Sequence, residues 1–351
     1  MSVSTQGNSF ITTTTNQYLA PKVVDQILRD NEFFGEVMAS TEDMKARKEY
    51  RGSQMLFPMK YQKGVASVAF NGFDVLPITA QPTRVNMTFF PTFVAANVAL
   101  AGTDLSVNDT PEQTLDLMEV EMTSRGQDLA DDYGNLLYGN GTGKNPDGLG
   151  NIVDDGTVAA NYGGLPRTTY AGLNATVTAS GGTISLLKVR QLWNSITDGS
   201  VAPTKALTDY TTWSYFEQLV LPYFRMNAPV SGVSGVREEL RGSVGYQALE
   251  WNGIKIMRDK KVPTGTFFLL NMDLMAFYGL NYFKSEKMTY NPKDIVGNIY
   301  TNQKGITKAF SWTGWVNAYN QGAVNGFIII GGNLICEAPF RNGKLTGVTG
   351  I

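Results

Sequence analysis

The residues whose type and spacing come nearest to chemistry are three pairs of adjacent carboxylates, Asp131-Asp132, Asp154-Asp155 and Glu238-Glu239. A glycosidase-type mechanism needs an acid and a carboxylate about 5 to 10 Å apart across a bound substrate. Neighbours in sequence instead share one helix turn or loop, so these pairs are expected on solvated faces. A carboxylate-dependent hydrolase stands as the enzymatic alternative. Histidine is absent from all 351 positions, which excludes Ser-His-Asp and Cys-His catalysis and every histidine-containing metal site. The glycine-rich stretch Gly139 to Gly148 fails as a phosphate loop on three counts. Its spacing is one residue short, Asn145 stands where Ser or Thr would bind the metal, and a helix rather than a strand precedes it. The single cysteine, Cys336, follows Leu334 and Ile335 in a strand-like run and is expected to be a buried small hydrophobe. No catalytic, cofactor-binding or metal-binding residue is assigned.

The elements that position these groups are read from periodicity. The first twenty residues, with Thr12 to Thr15 in a row, predict an arm, and Pro21 opens a first helix whose apolar stripe is Val24, Ile27, Leu28, Phe34, Val37 and Met38, with Gly35 an early stop. Residues 51 to 100 predict a long hairpin: Gln54 to Tyr61 and Val65 to Phe70 are strand-like, Val85, Met87 and Phe89 alternate with polar residues on the return, and Gly72 to Pro82 carries turn chemistry. Arms of about 20 residues reach on the order of 65 Å, whereas a compact chain of this length is about 50 Å across. Such a hairpin overhangs its own domain and implies a partner surface.

Thr110, Pro111 and Gln113 form a helix start, and Leu115, Met118, Met122, Leu129, Tyr133 and Leu136 recur at helical spacing before Gly139. A helix over 111–138, about 42 Å long, is predicted. From 181 onward helix and strand alternate. A helix with Leu186, Val189, Trp193 and Ile196 on one face precedes a strand at Lys205 to Tyr210, a helix marked by Trp213, Phe216 and Val220, and strands at Gly253 to Arg258 and Thr266 to Leu270. Phe327 to Ile330 and Leu334 to Cys336 are expected as separate strands, divided by Gly331-Gly332.

Composition narrows the function class. The net charge of −2 argues against a DNA-reading surface. The charged fraction of 17% is low against the roughly 25% of soluble domains, which points to surface that is covered by partners. The longest apolar run, Phe327 to Ile330, is far short of the roughly 20 residues of a membrane span, and no membrane association is expected. With one cysteine and no signal-like start, a reducing cytoplasm fits best.

This order of parts resembles the tailed-bacteriophage major capsid proteins, whose fold is shared with encapsulin shells and the floor of the herpesvirus capsid. The run from Tyr138 to Leu149 is particularly like the loop after that family's long spine helix. The resemblance implies an α+β fold of the Hong Kong 97 type: an N-terminal arm (1–20), a first helix and connection (21–44), an extended loop hairpin (45–101), a peripheral domain with the spine helix (102–180 plus 305–351) and an axial α/β domain (181–304). It implies a non-enzymatic subunit that self-assembles as hexamers and pentamers into an icosahedral virion shell around double-stranded DNA, in the bacterial host cytoplasm. An encapsulin-like compartment is the rival within the fold. Only about 20 residues precede Pro21, too few for the helical scaffolding segment of some members, so either processing removes such a segment or, as the Met1 start favours, a separate scaffolding protein is expected beside a portal. Some members crosslink a loop lysine to a neighbour's asparagine; Lys60 and Lys63 lie on the hairpin and Asn342 near the chain end, but no local motif pairs them, and they are expected to be ordinary surface residues.

Charge placement predicts how neighbours join. The hairpin region carries Arg51, Lys60, Lys63 and Arg84 against Asp74, while the long helix carries Glu112, Asp116, Glu119, Asp128, Asp131 and Asp132 against Arg125. The basic hairpin is expected to dock on or beside a neighbour's acidic helix, with Val85, Met87 and Phe89 supplying the apolar contact.

Overall fold

In the computed structural model, which describes residues 32–38, 47–49, 52–65, 67–76, 79–108, 117–179, 181–220, 249–280, 310–318 and 321–351, the charge-free tract Ala323–Cys336 is one 14-residue strand. The described elements are, in chain order, α1 (Glu32–Met38), β1 (Arg47–Glu49), β2 (Met55–Lys60), β3 (Arg84–Phe89), β4 (Thr92–Ala101), α2 (Gly102–Asn108), α3 (Leu117–Leu136), α4 (Leu149–Ile152), β5 (Asn161–Tyr162) and β6 (Leu165–Pro166). They continue with β7 (Thr176–Thr178), β8 (Gly182–Thr183), α5 (Leu186–Ile196), β9 (Lys205–Thr208), α6 (Tyr210–Val220), β10 (Leu249–Trp251), β11 (Ile254–Arg258) and β12 (Phe267–Leu270). The last are β13 (Met275–Gly279), β14 (Phe310–Trp312), β15 (Val316–Asn317), β16 (Ala323–Cys336), β17 (Gly343–Leu345) and β18 (Val348–Gly350).

Strand β16 organises the first sheet. One edge pairs antiparallel with β4 over ten residues, from Ala323 opposite Ala101 to Gly332 opposite Thr92. The other edge meets β15, β14 and β13 in succession, and β13 pairs in parallel with β1. The expected break at Gly331-Gly332 does not occur. A side chain at Gly331 would meet the Leu280 carbonyl at 2.3 Å, and one at Gly332, where φ is +146°, would meet the Tyr278 carbonyl at 2.5 Å. The two glycines admit a close crossing of backbones where β16 passes from β14 to β13, and the strand runs on through them.

The second sheet has the order β10-β11-β9-β12-β17-β7. Its period of two feeds two cores at once: Phe267 and Leu269 pack with α5 and α6, while Phe268 and Leu270 join the core beneath α3 and the first sheet. Helices α5 and α6 match the sequence reading, as do β9, β11 and β12. Ser185 starts α5 by accepting the Lys188 N–H at 3.3 Å. Both sheets take strands from either side of 180/181 and 304/305. Strand β13 belongs to the first sheet, and β7 and β17 complete the second.

Helix α3 is seen from Leu117, about 30 Å of it. The Thr110, Pro111 and Gln113 start lies outside the described residues, as do Pro21 to Leu28. Met122, Leu129, Ala130 and Tyr133 form its buried stripe, Tyr133 resting 5.8 Å from Phe34 and 6.1 Å from Phe277 between ring centroids. Helix α1 runs through Gly35 rather than stopping there. Asp259, nearly fully buried, ties this region together: it accepts the Tyr138 hydroxyl at 2.7 Å, the Phe33 N–H at 3.2 Å and the Lys261 N–H at 2.9 Å. Among the described residues no helix is long and apolar enough to cross a membrane.

Candidate functional site

The hairpin is a short ladder with a long irregular end. β2 and β3 pair antiparallel from Met55 opposite Phe89 to Lys60 opposite Arg84. Tyr61 extends the closure, its N–H donating to the Thr83 carbonyl at 3.1 Å and its hydroxyl to the Pro82 carbonyl at 2.9 Å. Between Tyr61 and Arg84 the described residues form no strand, so Val65 to Phe70 is not the strand expected of it. Gly64, Gly72, Pro82 and the Asn71–Asp74 turn stand there in place of a ladder.

Root and tip have opposite surroundings. Met87 and Phe89, expected to face a neighbour, are each only 2% exposed. Phe89 packs edge-on against Tyr162 at 5.2 Å and Phe57 at 5.8 Å, and Phe57 reaches Tyr278 at 5.5 Å. Gly163, at φ +55°, makes this possible: a Cβ there would lie 2.8 Å from the Met87 Cβ, and its carbonyl accepts the Thr88 N–H at 2.8 Å. The root is thus core of its own subunit, and Val85 is half-buried. Leu56 and Phe90 are exposed at the root, but the denser free apolar surface is at the tip, where Val68, Phe70, Phe73, Val75 and Leu76 are exposed, Phe73 fully. Sequence reasoning missed these five, although an apolar run inside a turn-rich segment was the available signal.

The basic residues lie between root and tip. Lys60, Lys63 and Arg84 are exposed, and Lys60 stands directly across the ladder from Arg84. Like charges so placed repel. Arg51, Glu112 and Asp116 fall outside the described residues, and so does the side chain of Glu119. On α3, Asp132 is exposed, Asp128 pairs with Arg125 at 3.4 Å, and Asp131 pairs with Lys261 at 2.6 Å. Lys261 also donates to the Asp131 carbonyl at 2.7 Å. The acidic face is therefore partly neutralised within the subunit, by a lysine 130 residues away that no local reading of α3 could include.

Of the carboxylate pairs considered for chemistry, Asp154 and Asp155 are committed to structure. Asp154 is buried: its Oδ2 accepts the N–H groups of Gly156, Val158 and Ala159 at 2.9 to 3.0 Å, and its Oδ1 lies 3.7 Å from Lys344. Burial holds the Lys344 ammonium below its ordinary range, with Asp154 opposing the shift. The buried Arg167 gives its guanidinium to the backbone carbonyls of Asn151, Asp154 and Leu173 and lies over the Tyr162 ring. Asp155 binds the Thr157 hydroxyl and N–H, which lower its pKa. Glu238-Glu239 lies outside the described residues.

The glycine-rich stretch folds against the end of α3. A Cβ at Gly148 would sit within 2.7 Å of the carbonyls of Leu136, Leu137 and Gly139. The stretch is bolted to β16 through Asn333, which accepts the Asp147 N–H at 2.8 Å and donates to Asp147 Oδ2 at 2.9 Å. Burial raises the pKa of Asp147, and the amides of Asn333 and Asn151 oppose the rise.

Asn342, fully buried, accepts the Asn271 N–H at 2.8 Å and donates to Cys336 Sγ at 3.3 Å. It is an interior residue and offers no surface for a neighbour's lysine. Cys336 is buried as expected, and burial pushes its thiol up to about 12.

No protein-family model and no curated protein matches the chain. Solved structures do match over nearly its whole length. The cyanophage A-1(L) capsid asymmetric unit superposes at a TM-score of 0.70 and 14% identity, covering 97% of this chain and 99% of that one. The capsid of a native GTA particle gives 0.62 at 10%, covering 99% and 100%. The holo-SrpI encapsulin complex from Synechococcus elongatus gives 0.57 at 10%, covering 99% and 96%. The chain has the α+β capsid fold of the Hong Kong 97 type that these shells share.

Proposed function

We propose that this protein is the major capsid protein of a tailed bacteriophage, a structural subunit that self-assembles through hexamers and pentamers into an icosahedral shell around double-stranded DNA. One observation carries the reading: a chain matching capsid subunits from end to end also holds out a hairpin whose root is packed at home and whose apolar tip is bare. A patch of this kind marks a contact surface. Head-to-tail contact of tip on neighbour is heterologous, and such contacts close into rings when their rotation allows.

In this reading the exposed Lys60, Lys63 and Arg84 steer the hairpin toward acidic residues of the neighbour, Glu112, Asp116, Glu119 and Asp132 among them, while Phe70, Phe73 and Val75 supply affinity. A separate scaffolding protein and a portal act in the host cytoplasm, and DNA is enclosed without sequence-specific contact. The bound-up state of Asp131, Asp154 and Asp155 supports a non-enzymatic role.

Electron microscopy and light scattering of the purified protein test the proposal. Capsomers or closed shells are expected. A compact monomer under every assembly condition overturns it, and shells that recruit a protein cargo in place of DNA move the assignment to the encapsulin-like compartment.

A further inference from the structure

Five Asn-Gly pairs occur in the chain, at Asn71, Asn140, Asn252, Asn325 and Asn342. Such pairs deamidate when the glycine nitrogen reaches the asparagine side-chain carbonyl, so local freedom decides which of them reacts. Asn342 is fully buried with both side-chain atoms hydrogen-bonded. Asn325 lies within β16, paired on both sides, with Ala99 and with Val316. Asn140 bridges to Asp147, and its side-chain oxygen is packed over Gly150. Asn252 is clamped in a two-residue turn at φ +53°, closed by the pairing of Trp251 with Ile254. Asn71 differs from all four: it is exposed, no ladder flanks it, nothing lies within 4 Å of a Cβ position at Gly72, and it is held only through its backbone, whose N–H donates to the Asp74 carboxylate at 2.8 Å and whose carbonyl accepts the Asp74 N–H at 3.0 Å.

We infer that Asn71-Gly72, at the hairpin tip, is the chain's rapid spontaneous modification site. The Gly72 nitrogen attacks Asn71 Cγ, the new C–N bond closes a succinimide, the Gly72 nitrogen loses its proton, and ammonia leaves. Water then opens the ring at either carbonyl, leaving aspartate or, with the chain rerouted through the side chain, isoaspartate. No oxidant or cofactor takes part. Residues 64–83 carry one charge, Asp74, and conversion adds a second negative charge beside Phe70 and Phe73. Resting on the shell reading, the consequence is that an aged free subunit docks poorly.

The test uses the full-length protein held unassembled in mildly alkaline buffer. Trypsin releases residues 64–84 as one peptide in which Asn71 is the sole asparagine. Mass spectrometry is expected to find acid accumulating there several-fold faster than at the other four pairs, with the rates drawing together in denaturant. A native rate at Asn71 no higher than that at Asn252 overturns the site. Aged wild-type protein is expected to assemble more slowly at low salt than fresh protein, and aged Asn71→Gln protein to keep its fresh rate. Equal slowing of both overturns the consequence, and failure of fresh protein to assemble overturns the shell reading instead.

Discussion

Replacing Phe70 and Phe73 together with serine separates assembly from folding, because both rings are exposed in the subunit. Surface substitutions away from packed features change stability by about 0.5 kcal/mol or less, so the thermal midpoint of the unassembled variant is expected to stay at the wild-type value. Docking is another matter. Full burial of a phenylalanine contributes about 1.5 to 3 kcal/mol, and two rings at the low end give about 3 kcal/mol per contact. At 1.4 kcal/mol per tenfold, the contact weakens by about a hundredfold. Light scattering against protein concentration is expected to show assembly onset at least that much higher. Met87→Ala is the converse: its side chain is buried against Gly163, so about 2 to 5 kcal/mol of stability is lost and the midpoint falls by several degrees. The reasoning is refuted if the double tip variant melts early yet assembles at the wild-type concentration.

Reversing Lys60 and Lys63 to glutamate is expected to slow assembly at low salt and little at high salt, and Asp132→Lys to rescue it partly; stopped-flow scattering at two ionic strengths checks both. Exposed pairs contribute only about 0 to 1 kcal/mol, so final yields should change less than rates. Cys336→Ala is expected to assemble, while the native wild-type thiol resists a bulky reagent until the chain unfolds. Because the folded thiol is raised to about 12, the unfolded chain ionises first as pH climbs past the ordinary thiol range. Wild-type stability should therefore fall toward high pH more steeply than that of Cys336→Ala in parallel melts. Asp154→Ala leaves Lys344 buried without its carboxylate and strips three N–H groups of their acceptor, at a cost of about 3 to 5 kcal/mol. Adding Lys344→Met should recover part of that loss in a denaturant titration.

The sequence by itself determined what depends on a few neighbouring residues. The period of 3.6 in Met122, Leu129 and Tyr133 laid down α3, and glycines and prolines after Lys63 ended the ladder. The order of these parts was enough to indicate the fold. Which groups are free was decided only by tertiary structure. Met87 and Phe73 are both apolar and lie on one hairpin, yet Tyr162, Gly163 and Phe57 cover the first and nothing described covers the second. Asp131 and Asp132 are adjacent and identical in type, yet Lys261 arrives from 130 residues away to neutralise one of them. Periodicity reports a side chain's direction relative to its own element. It carries no information about what the rest of the chain places there, and burial, charge pairing and reactivity depend on that placement.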